Sequence, residues 1–502
     1  MPNANPFRRG LAALAALAAL GVVSCAPPPG GTGAAPQTVP TRSAGDQRAG
    51  ASAQQEILQR FGGAYEDGQV QAYVRDIGRR IAAVSDQPNA SWTFTVLDSP
   101  EINAFATPGG YVYVTRGLVA LAEDEAELAS VIAHEIGHVA AGHNRDRQQR
   151  ATTANLGMVI GQIGLAALGI DPNLAGAVGQ VGQAAAGGYL ASYSRQDELE
   201  ADNLGIRYMA RAGYDPRAAA DFLRGLAAFS ELRARVKGQE YDPNRVSFLA
   251  THPAPGQRAG EAARLAAAQG GAAGERGEGR HLGAIDGMVW GDAAEQGFVR
   301  GRTFAHPTLR FAYEVPAGFT ITNSANAVLA EGPGGARFIL DGGQDAGGAL
   351  TDYIQRQWVP SIARSTRVGR IQRLEPARIN GLEAARAVLP VEVGNRAFNA
   401  LLVAIRMDGR VYRLTGLVPQ GSGLLDEMNR AAQTFRRLPA QEASQYSARR
   451  IQVVSVRGGD SVQSLGQQMR VEALPVEHFV VLNGIGRRGG SVSPGERVKL
   501  IR

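Results

Sequence analysis

Two histidines and a glutamate stand at fixed spacing in one segment, Ala126 to Asn144, that has the periodicity of a helix. His134 and His138 are four residues apart, so on a helix both imidazoles lie on one face and can bind one ion. Glu135 projects in a neighbouring direction and can reach a water molecule on that ion. The spacing predicts a mononuclear zinc hydrolase, which needs two histidine ligands, an open position and a carboxylate base.

The alternative interpretation is a surface helix whose polar residues face solvent. An apolar stripe argues against it, because four aliphatic side chains recur at helical spacing: Leu128, Ile132, Ile136 and Val139. Histidine is also scarce, with seven in 502 residues, yet three of them fall within ten positions here. The segment therefore favours a packed helix with a metal site.

A pair of acids downstream can complete such a site. Glu198 and Asp202 are four residues apart and share a helical face, where two like charges repel unless a cation neutralises them. A metal and an imidazole would do so, with Glu198 as the third zinc ligand and Asp202 as the acceptor of a ligand N–H. Glu200 faces another side, but charge alone leaves open which glutamate binds the metal. An acidic surface helix is the alternative.

One more histidine lies in Thr251-His252-Pro253. His252 has three open interpretations: it donates to an oxyanion that forms in the reaction, it caps the metal, or it is an ordinary loop residue. We take Glu135 and His252 as the candidate catalytic residues.

Short strands and helices are predicted before the metal-binding helix. Residues 54–85 have helical periodicity broken by glycines, which predicts two helices, and Trp92 to Leu97 alternates as a strand. Asn103-Ala104-Phe105-Ala106 and Tyr111 to Val114 flank a turn sequence, Thr107 to Gly110, so a hairpin is expected.

The first residues are typical of a secreted lipoprotein. A basic start precedes an apolar run, Leu11 to Val23, that is too short for a membrane span. The run leads to Cys25, the sole cysteine, in a sequence that resembles a bacterial lipobox. Ala26 after the cysteine resembles a signal for the outer membrane. We predict lipidation of Cys25 and a lipid anchor; an ordinary signal peptide with an incidental cysteine is the alternative.

Thr152 to Leu190 is apolar and rich in glycine. It is expected to form two short helices near the active site, as a lid, and membrane insertion is the alternative. The net charge of +6 is mild and fits a basic surface or contact with anionic envelope components. No pairing of arginine clusters with aromatics is present, so nucleic acid is not an expected partner.

Four ordered motifs together resemble the HtpX-like and CAAX-prenyl-protease-like zinc metallopeptidases, a gluzincin family. They are Asn103–Ala106 with Pro108-Gly109-Gly110, the helix Glu127 through His138, Ser194-Arg195 with Glu198 and Ala201-Asp202, and Thr251-His252-Pro253 with Arg258. The resemblance covers about residues 54–264 and looks like the periplasmic lipoprotein branch. The helical-pair repeats of about 34 residues found in one such branch do not follow here, so their partner contacts are not carried over.

The resemblance implies one zinc ion per chain, bound by His134, His138 and Glu198, with Glu135 as the base and Asp202 behind a ligand imidazole. In some family members a histidine matching His252 occupies the fourth zinc position and silences the enzyme. Asn103, Ala104, Phe105 and Ala106 are the candidate substrate-binding strand, which would pair with a peptide backbone by β-augmentation.

The last residues, Ile451 to Ile501, resemble a LysM module, a small βααβ fold that binds N-acetylglucosamine-containing glycans. Gly459-Asp460 would shape its first turn and Asn483 its later one. A structural cap without a glycan role is the alternative.

We therefore expect a multidomain fold. It comprises a lipoprotein signal over 1–25, a flexible tether over 26–52, a mainly α-helical zincin catalytic domain with a small β-sheet over 53–264, a linker over 265–286, an α+β domain over 287–440 and a LysM-like domain over 450–502.

The expected function is that of a periplasmic zinc metalloendopeptidase, anchored at the outer membrane, that cleaves misfolded or stalled envelope proteins. Peptidoglycan is an expected partner of residues 450–502. Two other functions are carried as alternatives: a self-inhibited, metal-bound assembly factor for outer-membrane proteins, and a scaffold held on peptidoglycan.

Overall fold

The computed structural model describes residues 44–143, 193–236, 238, 241, 252, 255–270, 274–325, 327–364, 366–393 and 396–502. The signal peptide with Cys25, the tether up to residue 43 and the glycine-rich segment 152–190 lie outside these residues. Within the described ranges, no helix combines the length and the apolar character that a membrane crossing requires.

The first part of the described chain is mainly helical, with one small sheet, as predicted. Its elements are α1 Ala44–Arg60, α2 Gly68–Ala82, β1 Thr93–Leu97, β2 Ala104–Thr107, β3 Tyr111–Thr115, α3 Arg116–Leu121, α4 Glu125–Ala140, α5 Arg195–Arg211, α6 Ala218–Val236, α7 Pro255–Ala268 and α8 Glu278–Ile285.

Helix α4 is the predicted metal-binding helix and lies at the centre of this region. It begins where the side chain of Asp124 accepts a hydrogen bond from the backbone of Glu127, which satisfies a free N–H of the first turn. Every residue of the helix except Val139 is buried. The polar residues of α4 are therefore carried into the interior and need partners there.

Helices α4 and α5 cross closely at two glycines. A Cβ added to Gly205 of α5 would lie 3.0 Å from the backbone nitrogen of His134, and one added to Gly137 would lie 3.0 Å from the carbonyl oxygen of Ala201. The absence of side chains at these two positions lets the backbones approach. This crossing places the acids of α5 beside the histidines of α4.

The small sheet has the strand order β1-β3-β2. Strands β2 and β3 are antiparallel, so the predicted hairpin is confirmed, with Gly109 and Gly110 at positive φ in its turn. Strand β1 lies parallel to β3 on the other side. Strand β2 thus lies at an edge of the sheet, and it packs on α4.

The prediction of a flexible tether over 26–52 was wrong for its C-terminal residues. Helix α1 begins at Ala44, so residues 44–52 are helical. Ala53 and Ile57 of α1 and Phe61 directly after it lie in one buried cluster with Phe105 of the sheet. The composition of small residues suggested a flexible segment, but the helix is held by this apolar contact with the sheet.

The linker prediction for 265–286 was also wrong. Helix α7 continues to Ala268, and α8 occupies 278–285. Leu282 and Ile285 of α8 are buried in the same core as α4. The many alanines and glycines suggested a linker, but α8 is an amphipathic helix whose apolar face packs in the core around α4.

The next part of the chain, up to residue 443, is mostly antiparallel sheet with helices, as an α+β fold requires. Its elements are β4 Val289–Trp290, β5 Phe298–Arg300, β6 Thr303–His306, β7 Phe311–Glu314, β8 Thr320–Asn323, β9 Val328–Glu331, β10 Arg337–Gln344, α9 Leu350–Tyr353, a π-helical turn Ile354–Trp358, α10 Val359–Ala363, β11 Arg367–Val368, β12 Arg373–Ile379, β13 Leu382–Val393, β14 Arg396–Met407, β15 Arg410–Pro419, α11 Leu425–Gln433, β16 Arg436–Arg437 and α12 Ala440–Ala443.

The main sheet of this part has the order β11-β13-β14-β15-β10-β9-β8, with β12 also paired to β13. Alternate residues of β14 enter two apolar clusters on opposite faces, Leu402 on one and Leu401 on the other. The sheet is therefore buried on both faces, which explains why its strands are continuously apolar.

The C-terminal segment has the strand, helix, helix, strand order that its sequence predicted. Its elements are β17 Arg449–Ser455, α13 Val462–Gly466, α14 Pro475–Leu482 and β18 Arg497–Ile501, with β17 and β18 antiparallel. The Asn483 side chain donates to the carbonyls of Phe479 and Lys499 and accepts from the Lys499 N–H, which ties the end of α14 to β18.

We predict that Gly205→Ala destabilises the fold by about 1–3 kcal/mol, because the new methyl group meets backbone atoms of α4. Gly260→Ala in α7 is the matched control: nothing lies within 4 Å of its added Cβ, so alanine should stabilise the helix by about 0.5–1 kcal/mol. Urea unfolding of both variants measures the difference. Equal midpoints would show that the crossing of α4 and α5 is not tight.

Candidate metal centre

Four buried side chains converge beside helix α4. His134, His138, Glu198 and His252 each offer one nitrogen or oxygen atom, and these atoms all lie within 4.8 Å of one another. Two come from α4, one from α5 and one from the segment before α7. The structure thus brings together the three predicted zinc ligands and the isolated histidine.

The separations within this cluster are short and similar. His134 Nε2 lies 3.0 Å from His138 Nε2 and 3.2 Å from His252 Nδ1. Glu198 Oε1 lies 3.3 Å from His138 Nε2 and 2.9 Å from His252 Nδ1. The second carboxylate oxygen, Oε2, is 3.6 Å from His134 Nε2.

These separations fit a zinc ion. Nitrogen and oxygen ligands at the usual zinc distances, placed at tetrahedral corners, lie about 3.3–3.5 Å from one another. Imidazole nitrogens and one carboxylate are also donors that zinc prefers. A positive ion among them removes the repulsion of lone pairs that face one another in a buried space. The cluster is therefore compatible with zinc, as its sequence spacing predicts.

Asp202 and Arg258 lie directly behind the cluster. Asp202 Oδ1 is 2.9 Å from His134 Nδ1, the ring nitrogen that points away from the other ligands. Arg258 donates through Nε and Nη2 to both oxygens of Asp202, at 2.8 and 2.6 Å. Its Nη1 lies 2.5 Å from Glu198 Oε2. One buried guanidinium thus holds two buried carboxylates at fixed positions.

The pKa values of the two carboxyl groups follow from these contacts. Burial acts to raise the pKa of Glu198, but electrostatic interactions with His252 and with the Arg258 guanidinium lower it well below its ordinary value. Burial also acts to raise the pKa of Asp202, and the charge and hydrogen bonds of Arg258 lower it. Both groups therefore stay ionised, which a metal ligand and an acceptor for His134 require.

The two ligand imidazoles of α4 differ in pKa. Burial and the nearby His134 lower the pKa of His138 well below its ordinary value. Burial also opposes the charged form of His134, but the hydrogen bond and charge of Asp202 raise its pKa. The position of Asp202 beside Nδ1 of His134 favours a proton on that nitrogen, and Nε2 faces the cluster.

Glu135 lies beside the cluster and is fully buried. Its Oε1 is 3.4 Å from His252 Nε2, and neither carboxylate oxygen has a hydrogen-bond partner among the described residues. An unsatisfied buried carboxylate is costly. A water molecule or a substrate group at this position would supply the missing hydrogen bonds, which is what a general base needs.

The structure shows which of Glu198 and Glu200 lies at the metal centre, a question that charge alone left open. Glu198 is buried in the cluster, whereas the Glu200 side chain is 57% exposed. Glu200 contacts instead His143, at 3.5 Å from Nε2.

Three contacts were missed by sequence reasoning. Tyr193 stacks on the His138 ring with centroids 3.7 Å apart. His143 Nδ1 lies 2.9 Å from His138 Nδ1. Arg258 was noted only as part of a motif. The clustering of three histidines within ten positions was a signal for His143, but no local pattern marks Tyr193.

The candidate substrate strand Asn103, Ala104, Phe105 and Ala106 is not part of the cluster. Ala104 and Ala106 are buried in the core that contains α4, whereas Phe105 is buried in the cluster with Ile57 of α1. Asn103 Oδ1 lacks a hydrogen-bond partner among the described residues. The backbone N–H of Asn103 donates to Thr115 Oγ1. The strand therefore lies next to the helix of the metal centre.

Comparison with known proteins supports the metallopeptidase interpretation. Residues 68–266 match the model of Peptidase family M48. The Beta-barrel assembly-enhancing protease of Yersinia pestis is 33% identical over 193 residues, which are 38% of this chain and 37% of that protein. The protein of the same name in Escherichia coli K12 is 31% identical, with the same two shares.

A mitochondrial relative shows the same similarity. The Mitochondrial metalloendopeptidase OMA1 of Schizosaccharomyces pombe is 32% identical over 187 residues, which are 37% of this chain and 50% of that protein. The chain thus spans from about a third to half of the length of these relatives. The resemblance of this region to a zinc metallopeptidase is confirmed, while the LysM-like segment lies beyond the matched residues.

We predict that the purified protein holds one zinc ion per chain and that Glu198→Ala loses most of it, because a buried ligand is removed. Glu200→Ala is the matched control and should keep its zinc, since its side chain is exposed. Elemental analysis after dialysis measures both. Unchanged zinc in Glu198→Ala would contradict the ligand assignment.

Proposed function

We propose that this chain, through its peptidase family M48 region, is a zinc-dependent endopeptidase of the bacterial cell envelope. The observation that carries the proposal is the buried cluster of His134, His138 and Glu198 with the carboxylate of Glu135 beside it. The names of the relatives, which are proteases and metalloendopeptidases, support the same reaction class.

Each residue of this site has a separate role in peptide hydrolysis. A zinc ion held by His134, His138 and Glu198 supplies Lewis acidity when it is bound. Glu135 accepts a proton from the attacking water and later donates it to the leaving amine. Asp202 keeps His134 in the tautomer that a ligand needs, and Arg258 keeps Asp202 ionised.

Substrate binding is assigned to strand β2. Among the described strands β2 pairs with β3 only. This position at the edge supports pairing with an extended peptide by β-augmentation, in which main-chain hydrogen bonds give affinity without strict sequence choice. Sequence-tolerant binding suits substrates that expose extended backbone. We therefore propose misfolded or stalled envelope proteins as the substrate class.

The location is proposed from the first residues and from the relatives. Lipidation of Cys25 would anchor the protein to the membrane from the periplasmic side, at the outer membrane. The name Beta-barrel assembly-enhancing protease supports substrates among outer-membrane proteins. Retention of radiolabelled palmitate by the wild type but not by Cys25→Ala tests the anchor.

A second candidate function is a self-inhibited assembly factor. His252 Nδ1 lies 2.9 Å from Glu198 and 3.2 Å from His134, and its Nε2 lies 3.4 Å from Glu135. This placement supports the hypothesis that His252 fills the fourth zinc position and keeps water out. A protein held in that state could assist assembly without cleavage.

A third role concerns residues 450–502, for which we propose binding to glycan of peptidoglycan. The strand, helix, helix, strand order supports it. Co-sedimentation of the full chain with purified peptidoglycan, with N-acetylglucosamine oligomers as competitor, tests this role.

We predict that Glu135→Gln lowers kcat on an unfolded protein such as casein by about 10²–10⁴-fold, because proton transfer is lost while the shape of the site is kept. The variant should retain its zinc, which elemental analysis checks. Full activity in Glu135→Gln, or full complementation of a deletion strain, would refute the peptidase proposal.

We predict that His252→Ala keeps its zinc and cleaves casein faster than the wild type, because the fourth position becomes open to water. Initial rates at equal zinc content measure this. A slower variant would show instead that His252 assists the reaction, and the self-inhibited state would be rejected.

A further inference from the structure

The start of the catalytic helix α4 carries a dense group of acids. Four acids fall within five positions, and all except the first are buried: Glu123, Asp124, Glu125 and Glu127. Acids at a helix start interact favourably with the free N–H groups. Four carboxylates in one buried turn nevertheless repel one another and need cations close by.

The C-terminal module, defined here as residues 449–502, supplies one such cation from β18. Lys499 is 1% exposed, and its ammonium group donates to the carbonyls of Ala122 at 2.8 Å, Ala120 at 3.1 Å and Leu121 at 3.4 Å. These carbonyls end α3, which leads directly into α4. Lys499 therefore caps the helix that comes before the catalytic helix.

Burial and nearby acids act in opposite directions on Lys499. Burial lowers the pKa of Lys499 to about 8, while the negative charges of Glu123 and Glu127 act to raise it. The nearby His281 Nε2 lies 2.9 Å from the carbonyl of Ala122 and Tyr73 contacts His281 Nδ1, so His281 is a neutral donor beside the lysine.

A second cation of the module reaches the acids themselves. Arg487 forms ion pairs with Glu123 and with Glu127, in the latter case at 3.4 Å, and donates to the carbonyl of Asp221 on α6. Glu127 in turn accepts from the backbone N–H of Glu123 at 2.9 Å. Arg487 thus contacts the residues that fix the first turn of α4.

The module also packs on the preceding part of the chain through apolar contacts and strand pairing. Ile451 of β17 is buried in the same core as α4. Trp290 of β4 pairs with Arg449 of β17 and packs edge-on against Phe229 of α6. On β18, Val498 and Leu500 enter the core of the module, while Lys499 points to the other face. The strand is buried on both faces.

We propose that Lys499 and Arg487 are positioning residues for the catalytic helix, and that the C-terminal module thereby sets how firmly the metal ligands of α4 are held. Glu127 and His134 are seven residues apart, about 10 Å along one helix. A helix that is buried throughout moves as a rigid element, so a shift at its first turn displaces His134 and His138 relative to Glu198 on α5.

This inference rests on the proposed function only where kcat and KM are measured; the rate of zinc loss does not depend on it. The test compares Arg487→Met and Lys499→Met in the full chain with Arg470→Met, an exposed charge of the same module. The zinc-loaded proteins are mixed with a chelator at a temperature where circular dichroism shows all variants folded. The rate of zinc loss, and kcat and KM on casein, are then measured.

We expect zinc loss to be roughly three- to thirtyfold faster and kcat lower in both module variants, with KM within about twofold of the wild type. Arg470→Met should match the wild type. Arg487→Lys, which keeps the charge, should restore slow zinc loss in part. If Lys499→Met does not fold, the result for Arg487→Met alone decides whether the proposal holds. Arg487 is partly exposed, so its replacement leaves no cavity in the core.

A purely stabilising role gives another pattern. Lower melting temperatures with zinc loss and kcat equal to those of Arg470→Met would overturn the proposal. If the wild type cleaves nothing, the proposed function fails, but the rate of zinc loss still decides whether the module positions the helix. The two failures are thus distinguishable.

Discussion

The structure depends on one constraint, which is that helix α4 is buried along nearly its whole length and carries charged groups at both ends. A buried charge is stable only with a partner of opposite sign or a metal. At the second half of α4 the partners are Glu198, Asp202 and Arg258 around the two histidines. At its start they are cations from other segments. The segments around α4 therefore have to supply charges as well as apolar surface.

This constraint explains why segments expected to be loose are ordered. Residues 265–286 were expected to form a linker, yet Arg276 forms ion pairs with Asp124 and Asp221. Arg280 does the same with Glu125. Each of these arginines is tied to an acid at or near the first turn of α4. Alanine and glycine dominated the composition, and the two arginines that carry the contact were too few to predict it.

Helix α4 connects the metal centre with the C-terminal module, because it carries two of the histidines and its start contacts Arg487. Arg487 forms ion pairs with Glu123 and Glu127 at the start of α4, and Lys499 donates to the carbonyls that end α3. The histidines lie about two to three turns further along α4 and face Glu198. The match to the model of Peptidase family M48 ends at residue 266, so Arg487 and Lys499 lie outside it.

Spacing along the chain determined the parts of this protein that depend on local geometry. Histidines four apart on a helix must share a face, so His134, Glu135 and His138 predicted the site, and a Pro-Gly-Gly turn predicted the hairpin. Helical spacing also paired Glu198 with Asp202. Tertiary structure decided the rest, because burial and distance across the chain are not local properties. It placed Glu198 and not Glu200 in the cluster, and it placed His252 against Glu135. It also set Arg258 between two carboxylates. Finally, it brought Lys499 to the carbonyl end of a helix that ends 378 residues earlier, at Leu121.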